Sequence, residues 1–398
     1  MFLFLLGFMP FTSLQAQLHN TGQIIHLDNN ALVFVEEDYT HADGEISGNG
    51  NLELKGNWNN TSAGAVFRNA DGLVILNGSA QAIKGNRTVF PSLKLGGDGA
   101  KMLESDTDIG GTLYLENNYL HLKRYSLNIL NPSVAAIQRS SGFIITEDGG
   151  FLARNTNSVS PYLFPLGAIK NSNVFAVGSP ELYRPVVFEP SSSLPNTFSA
   201  NLNAFDPNSL YPRTKKLADV DKVFEKYFYL INHSSGTSNF GFKLYQNTTV
   251  EDNSIIVGWN YSSALWEKIQ TSLQDGVYGD GLNRMMATNF SSSTNNLPVS
   301  LASSPTLDNP FTFYNAFSPD GDGKNDTWQI KNIEQFPDNS LTIFNRWGDE
   351  VYQVSSYSNN KAWDGGSLQP GTYFYMLNVK INGQSKSFKG FITMVKKN

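Results

Sequence analysis

Oxygen-bearing side chains gather at one place in this chain. Asp320, Asp322, Asn325 and Asp326 fall close together, with Gly321 and Gly323 between the first acids. Oxygen ligands at alternate positions, separated by glycine, can wrap a hard cation such as Ca²⁺. The loop is not an EF-hand. Counted from Asp320, Lys324 holds the fifth position and Asn325 the sixth, where that loop needs Gly, and Lys331 stands where it needs a bidentate Glu. The alternative is an Asx-turn loop, in which the carboxylates accept backbone N–H bonds and cap the turn. Calcium is the one cofactor the sequence raises.

Catalytic constellations are missing from the rest of the sequence. His19, His26, His41, His121 and His233 are isolated, with no His-x-x-x-His pair for zinc. There is no Gly-x-Ser-x-Gly elbow. Gly97-Asp98-Gly99-Ala100-Lys101 lacks both the Ser/Thr and the spacing of a phosphate loop. The chain has no Cys, hence no thiolate nucleophile and no disulfide. Glu36-Glu37-Asp38 reads as a solvated strand edge. Trp58, Trp259 and Trp266 could stack on a glycan, but a buried indole is the expected state for each. The expectation is a protein that is not an enzyme.

The elements that must carry these residues are strands. Charged residues make up 16% of the 398 and aromatics 13%, and Gly, Asn, Ser and Thr fill much of the rest. Large aromatics alternating with small polar residues suit strands joined by tight turns. The net charge is −6 and no Lys/Arg block occurs. That argues against nucleic acid as a partner, because neutralising phosphates takes clustered cations.

Met1 to Phe11 is an apolar run of h-region length, followed by Ser13-Leu14-Gln15-Ala16. It reads as a signal peptide over residues 1–16, although no Lys or Arg precedes the apolar run. No later run reaches the ~20 apolar residues that span a bilayer, so no transmembrane segment is expected after signal cleavage.

Short apolar strands then begin near Leu32, Leu52, Leu73, Leu93 and Leu113, about twenty residues apart. Gly/Asn turns separate them. Such a period fits a β-solenoid, in which each turn buries its apolar face on the next, and an ordinary meander of hairpins is the alternative. Beyond Leu115 the beat shortens, and Phe143-Ile144-Ile145 is the expected last rung. Pro161, Pro165 and Gly167 mark a boundary. Longer, alternating strands follow, including Tyr183 to Phe188, Lys226 to Ile231 and Ser254 to Trp259, and they fit a β-sandwich. The order Leu163-Phe164-Pro165-Leu166-Gly167, then Tyr183-Arg184-Pro185-Val186, then Trp266 loosely resembles sandwich modules of secreted Bacteroidetes proteins. Ser291 to Asn309, rich in Ser, Asn, Thr and Pro, reads as a linker.

The most specific stretch comes last. Tyr314 to Trp328 contains Phe317-Ser318-Pro319-Asp320-Gly321-Asp322-Gly323. Leu341-Thr342-Ile343-Phe344-Asn345-Arg346-Trp347-Gly348 follows, then Trp363-Asp364-Gly365, Pro370 to Tyr375 and Lys389-Gly390-Phe391-Ile392. This succession resembles the gliding-motility-associated C-terminal domain, the type B sorting domain of type IX secretion cargo. The residues themselves agree with a compact β-domain: Leu341 to Arg346 is an expected strand, Trp347 to Glu350 a turn, and Asn382-Gly383 a hairpin signal.

The resemblance implies recognition by the type IX translocon and the outer-membrane attachment machinery, after export through the periplasm to the cell surface. Asn345, Arg346, Trp347, Gly348, Trp363, Asp364, Gly365, Lys389 and Gly390 are the sorting-motif candidates. Arg346 can equally stack on Trp347 or Trp363 and hold the domain together.

The expected organisation is all-β: a signal peptide (1–16), a β-solenoid-like repeat domain (17–155), a middle β-sandwich (156–301), a linker (302–310) and a C-terminal Ig-like antiparallel β-sandwich for sorting (311–398). The expected role is a secreted or cell-surface, adhesin-like protein with a surface glycan or protein ligand. The alternatives are a glycan-binding or glycan-active protein sent by the same route, and an accessory component of gliding motility.

Overall fold

A computed structural model describes residues 17–168, 182–246, 254–269, 271–288, 296–304, 310–381 and 384–395. The expected signal peptide and Asn382-Gly383 lie outside these residues. The protein is all-β, with 54% strand, 4% helix and a β-solenoid of about 7 turns. Among the described residues no helix is long and apolar enough to cross a membrane. The chain forms two compact units, divided between Pro305 and Thr306.

The twenty-residue beat is real and is one side of the solenoid. Leu32–Val35, Asn51–Leu54, Val74–Leu76, Leu93–Leu95, Leu113–Glu116 and Ile137–Arg139 stack in chain order as one parallel sheet. Parallel pairing brings each rung's inward residues over the next: Leu54 lies opposite Leu76, and Leu76 opposite Leu95. All three are fully buried. Each isolated rung has too little apolar surface to stay folded, so stability comes from the stack.

The sequence period showed one strand per turn, whereas the full turns have three. Leu93–Leu95 is followed by Lys101–Glu104 and Thr107–Ile109, each in a different parallel sheet. The crowding of Leu120, Leu122, Leu127 and Ile129 is the same pattern one turn later, as Leu120–His121 and Ser126–Ile129. Ile144–Ile145 is therefore not the last rung of the first ladder. It pairs with Leu120–His121 on a second side, and Leu166–Ala168 pairs beyond it.

The corners are tight. A Cβ on Gly72 would lie 2.0 Å from the carbonyl oxygen of Gly50 one turn below, so only glycine lets the two turns meet. At another corner Lys101 is fully buried. Its Nζ donates to the carbonyls of Gly78 (2.8 Å), Ser79 (3.2 Å) and Asp98 (3.3 Å), joining the turns.

Residues 155–156, the expected domain boundary, mark a change of pairing and not a gap in the core. Phe151–Thr156 pairs parallel with Ser126–Ile129 on one side and antiparallel with Asn196–Asn203 on the other. The sheet continues antiparallel through Phe228–Ser235, Leu297–Ser303, Ser254–Asn260 and Leu265–Lys268. A separate antiparallel sheet runs Tyr162–Phe164, Val186–Pro190, Phe240–Gln246, Arg284–Thr288, Thr271–Asp275. Buried residues from Leu27 to Leu301 form one large apolar cluster, and Val220, Val223, Ile255, Val257, Trp259, Trp266 and Ala302 form a smaller second one.

Arg154 sits at this change-over, fully buried. Its guanidinium donates to the carbonyls of Leu163 (2.6 Å), Ser133 (3.0 Å) and Val134 (3.2 Å) and lies over the rings of Tyr162 and Phe164.

The expected linker needs correction. Leu297–Ser303 is a paired, mostly buried strand between Phe228–Ser235 and Ser254–Asn260, so the middle segment runs past residue 301. Its Ser and Pro content hid the alternation of Leu297, Val299 and Leu301. Residues 289–295 and 305–309 lie outside the described residues.

Burial pushes the Lys101 ammonium down from its ordinary 10.5 to about 8, with the Asp98 charge opposing. Between these values the unfolded chain holds the extra proton, so stability rises with pH across that window and is lowest below it. Denaturant unfolding of wild type and Lys101→Met, compared from pH 8 to pH 10, should show wild type gaining roughly 2 kcal/mol relative to the variant. A pH-independent difference would refute this account of Lys101.

Candidate functional site

Residues 310–395 have their own core. Phe311, Phe317, Trp328, Ile330, Leu341, Ile343, Trp363, Tyr373, Tyr375, Leu377 and Ile392 are among its buried members. A five-stranded sheet runs Ala316–Phe317, Gln384–Met394, Gly371–Ile381, Asn339–Phe344, Glu350–Ser355. The first pair is parallel and the others antiparallel. Tyr373, Tyr375, Leu377 and Val379 alternate inward along their strand, as the period of two requires.

The acidic loop precedes the main sheet strands. Asp326 accepts N–H bonds from Gly321 (2.8 Å) and Gly323 (2.9 Å), one to each carboxylate oxygen. Asp320 accepts from the Asp322 N–H (3.3 Å) and Asp322 from the Lys324 N–H (2.8 Å). The Asx-turn arrangement is thus present in full. Carboxylate oxygens of Asp320, Asp322 and Asp326 also all lie within 4.8 Å of one another, close enough to share one cation. Asn325 has φ +54° and offers its carbonyl to the Ser318 N–H (2.8 Å).

The hairpin at 345–349 is built by Asn345. Its side-chain oxygen accepts from the N–H groups of Trp347 (2.9 Å) and Asp349 (3.0 Å), and its amide donates to the Asp349 carboxylate (3.0 Å). The expected strand through Arg346 ends two residues earlier, at Phe344, because this turn takes over the backbone donors. Gly348 closes the turn, donating to the Asn345 carbonyl (3.1 Å). The Arg346 guanidinium stacks 4.5 Å from the centre of the Trp347 ring. Trp347 is 73% exposed, so this stack stands in solvent and does not bind the core together.

Trp363 is the opposite case. Its indole is buried against Phe317 and Tyr373, and its carbonyl accepts from the Trp328 N–H (2.7 Å). Asp364 accepts from the Gly366 N–H (2.9 Å), an Asx turn that passes through Gly365. Lys389 is exposed on the outer face. Gly390 pairs with Tyr375, and a Cβ there would lie 2.5 Å from the tyrosine hydroxyl, so any larger residue would have to displace that ring.

The candidate residues thus fall into three places: the acidic loop, the Asn345 hairpin, and the Trp363 turn with the Lys389-Gly390 strand. Sequence reasoning missed the outer-face residues Phe374 and Phe391, which are directly paired and 46% and 52% exposed. The alternation of Tyr373 and Tyr375 was the available signal, since it turns Phe374 outward.

Outside this unit, Trp58, Trp259 and Trp266 are buried and offer no platform for a sugar ring. Glu36 pairs with Lys55 (3.2 Å) on the surface. His41 bonds to Tyr39 (3.0 Å) and His233 to Asn196 (3.0 Å), which gives both a structural role. Among the described residues, the three aspartates are the one acid or histidine group arranged for a metal.

Comparison with curated proteins and with solved structures gave no match. Residues 311–394 match the family model described as CHU_C type IX secretion signal domain, which implies export by the type IX machinery to a secreted or cell-surface location.

Proposed function

We propose that this chain is a non-enzymatic, adhesin-like cargo protein of type IX secretion, addressed by residues 311–398 and working at the cell surface through the segment before them. The match over residues 311–394 carries the reading. Export through the periplasm, led by a signal peptide over residues 1–16, belongs to the same proposal. So do the finer assignments of a middle β-sandwich and an Ig-like C-terminal sandwich. Two antiparallel sheets feeding one core support the first. The antiparallel sheet with its own aromatic core supports the second.

The solenoid's outward ladder favours a binding role. Phe34, Glu53, Ile75, Lys94, Tyr114 and Gln138 follow one another in register. A regular row that mixes aromatic, aliphatic and charged side chains can meet a protein or glycan surface at several points at once.

Deleting Phe311 to Asn398 should leave the protein inside the outer membrane. Surface labelling and fractionation of cells measure this, and undiminished surface display of the truncated protein would defeat the proposal.

The aspartate loop belongs to the reading as a Ca²⁺ site that stiffens the export unit. Calcium should raise the melting temperature of the purified protein and chelator should reverse the gain, since a ligand at a hundredfold its Kd stabilises by about 2.7 kcal/mol. Asp326→Asn should lose the response. An identical melting temperature with calcium and with chelator rules the site out.

A further inference from the structure

The outer face of the C-terminal sheet is divided in two. Antiparallel register sets Phe344, half-buried, beside the exposed Phe374 and Phe391 across three strands, with buried Thr342, half-buried Met376 and exposed Lys389 in the next row. Further along, the outward pairs are Asn378 with Ser387 and Lys380 with Ser385. The aromatic row thus stands near one end of the face, with only the Thr372–Thr393 pair beyond it, and the other end is polar.

The Asn345 hairpin extends from the aromatic end, because Asn345 directly follows Phe344. It carries Trp347, the most exposed large apolar side chain in this unit. Of the unit's five exposed large apolar residues among those described, Phe374 and Phe391 lie in the aromatic row, Trp347 follows Phe344 by three residues, and Val395 follows Phe391 by four. Cross-strand pairing of Phe374 with Phe391 steadies strands 371–381 and 384–394 only slightly. The polar pairs hold the same strands together at the other end without exposing any ring, so pairing alone does not account for this segregation. Exposed aromatic groups with an arginine nearby are the side chains that dominate protein interfaces.

We propose that this aromatic end, Phe344, Phe374 and Phe391 with Trp347 beside them, is the surface by which the secretion machinery grips the export unit. The inference rests on the reading of residues 311–394 as an export signal. A signal must be bound by the machinery it addresses, and this is where the unit concentrates exposed apolar surface. The partner is a protein of that machinery with an apolar groove. Arg346 and Lys389 border this end, but so do Asp349 and Glu350, the latter paired directly opposite Phe344, so the contact rests on the apolar rings and not on net charge.

The test uses the full chain, expressed in cells that carry type IX secretion. Phe374→Thr/Phe391→Thr keeps strand-forming residues at both outward positions and removes the rings. Surface display should fall about tenfold, the scale of a lost interface anchor, while the purified protein keeps a near-wild-type melting temperature. Phe374→Leu/Phe391→Leu should recover most of the display. Asn378→Ala/Ser387→Ala, at the polar end, should leave display unchanged. A photoreactive phenylalanine analogue at 374, which keeps the ring and the fold, should cross-link to a component of the secretion machinery, whereas the same group at 378 should not.

Normal display of the threonine variant, or cross-linking at 378 and not at 374, overturns the proposal. So does normal display combined with loss of a dimer in sedimentation, which would assign the face to a second copy of this chain. If display is normal even after deletion of 311–398, the export reading itself fails. If the deletion blocks display and the threonine variant does not, only the assignment of this face fails.

Discussion

Leu54, Leu76 and Leu95 are buried only because each lies beneath or above another, and backbone hydrogen bonds between parallel strands put them there. Parallel neighbours repeat about every 4.8 Å, and a shift of one residue would turn every inward side chain outward. Register is therefore the constraint on which the first unit depends. It dictates the spacing of Leu52, Val74, Leu93 and Leu113 in the chain. It also dictates the small residues at the corners, where Gly72 nearly touches Gly50. Lys101 meets the same demand differently, with one ammonium gathering three carbonyls from adjoining turns.

A stack of this kind has no natural end, because its last rung always offers a bare edge. Here the ladder of Leu32 to Arg139 does end in an edge, at Ile137–Arg139, but another side of the stack is converted. Phe151–Thr156 takes its parallel neighbour from the solenoid and its antiparallel neighbour from the middle segment. Arg154, on that strand, gives its charge to carbonyls and aromatic faces instead of to an acid. Every group it reaches is backbone or ring, so it fixes the path of the chain where two pairing rules meet.

Much of this was legible in the sequence, for physical reasons that differ by region. The twenty-residue beat was visible because the first ladder's apolar positions, such as Leu52 and Leu93, recur without interruption. The other two sides were not, since a strand of two residues such as Leu120–His121 leaves almost no period to detect. Leu297–Ser303 was mistaken for a linker because Pro298, Ser300 and Ser303 mask a two-residue alternation that only neighbouring strands make meaningful. At the candidate site, a turn at Trp347 to Glu350 was readable from residue type, though not its start at Asn345, and the aspartate loop's Asx turns were an open alternative. The aromatic end of the outer face was not. Phe344, Phe374 and Phe391 are far apart in the chain, and register alone makes them neighbours.

Among the described residues the two units bury separate sets of side chains: the first holds one cluster from Leu27 to Leu301 and a smaller one around Trp259 and Trp266, and the second holds one from Phe311 to Met394. No residue belongs to both. Breaking one peptide bond between Ser304 and Pro310 would therefore open neither hydrophobic interior. The address is thus a folded body with an interior of its own.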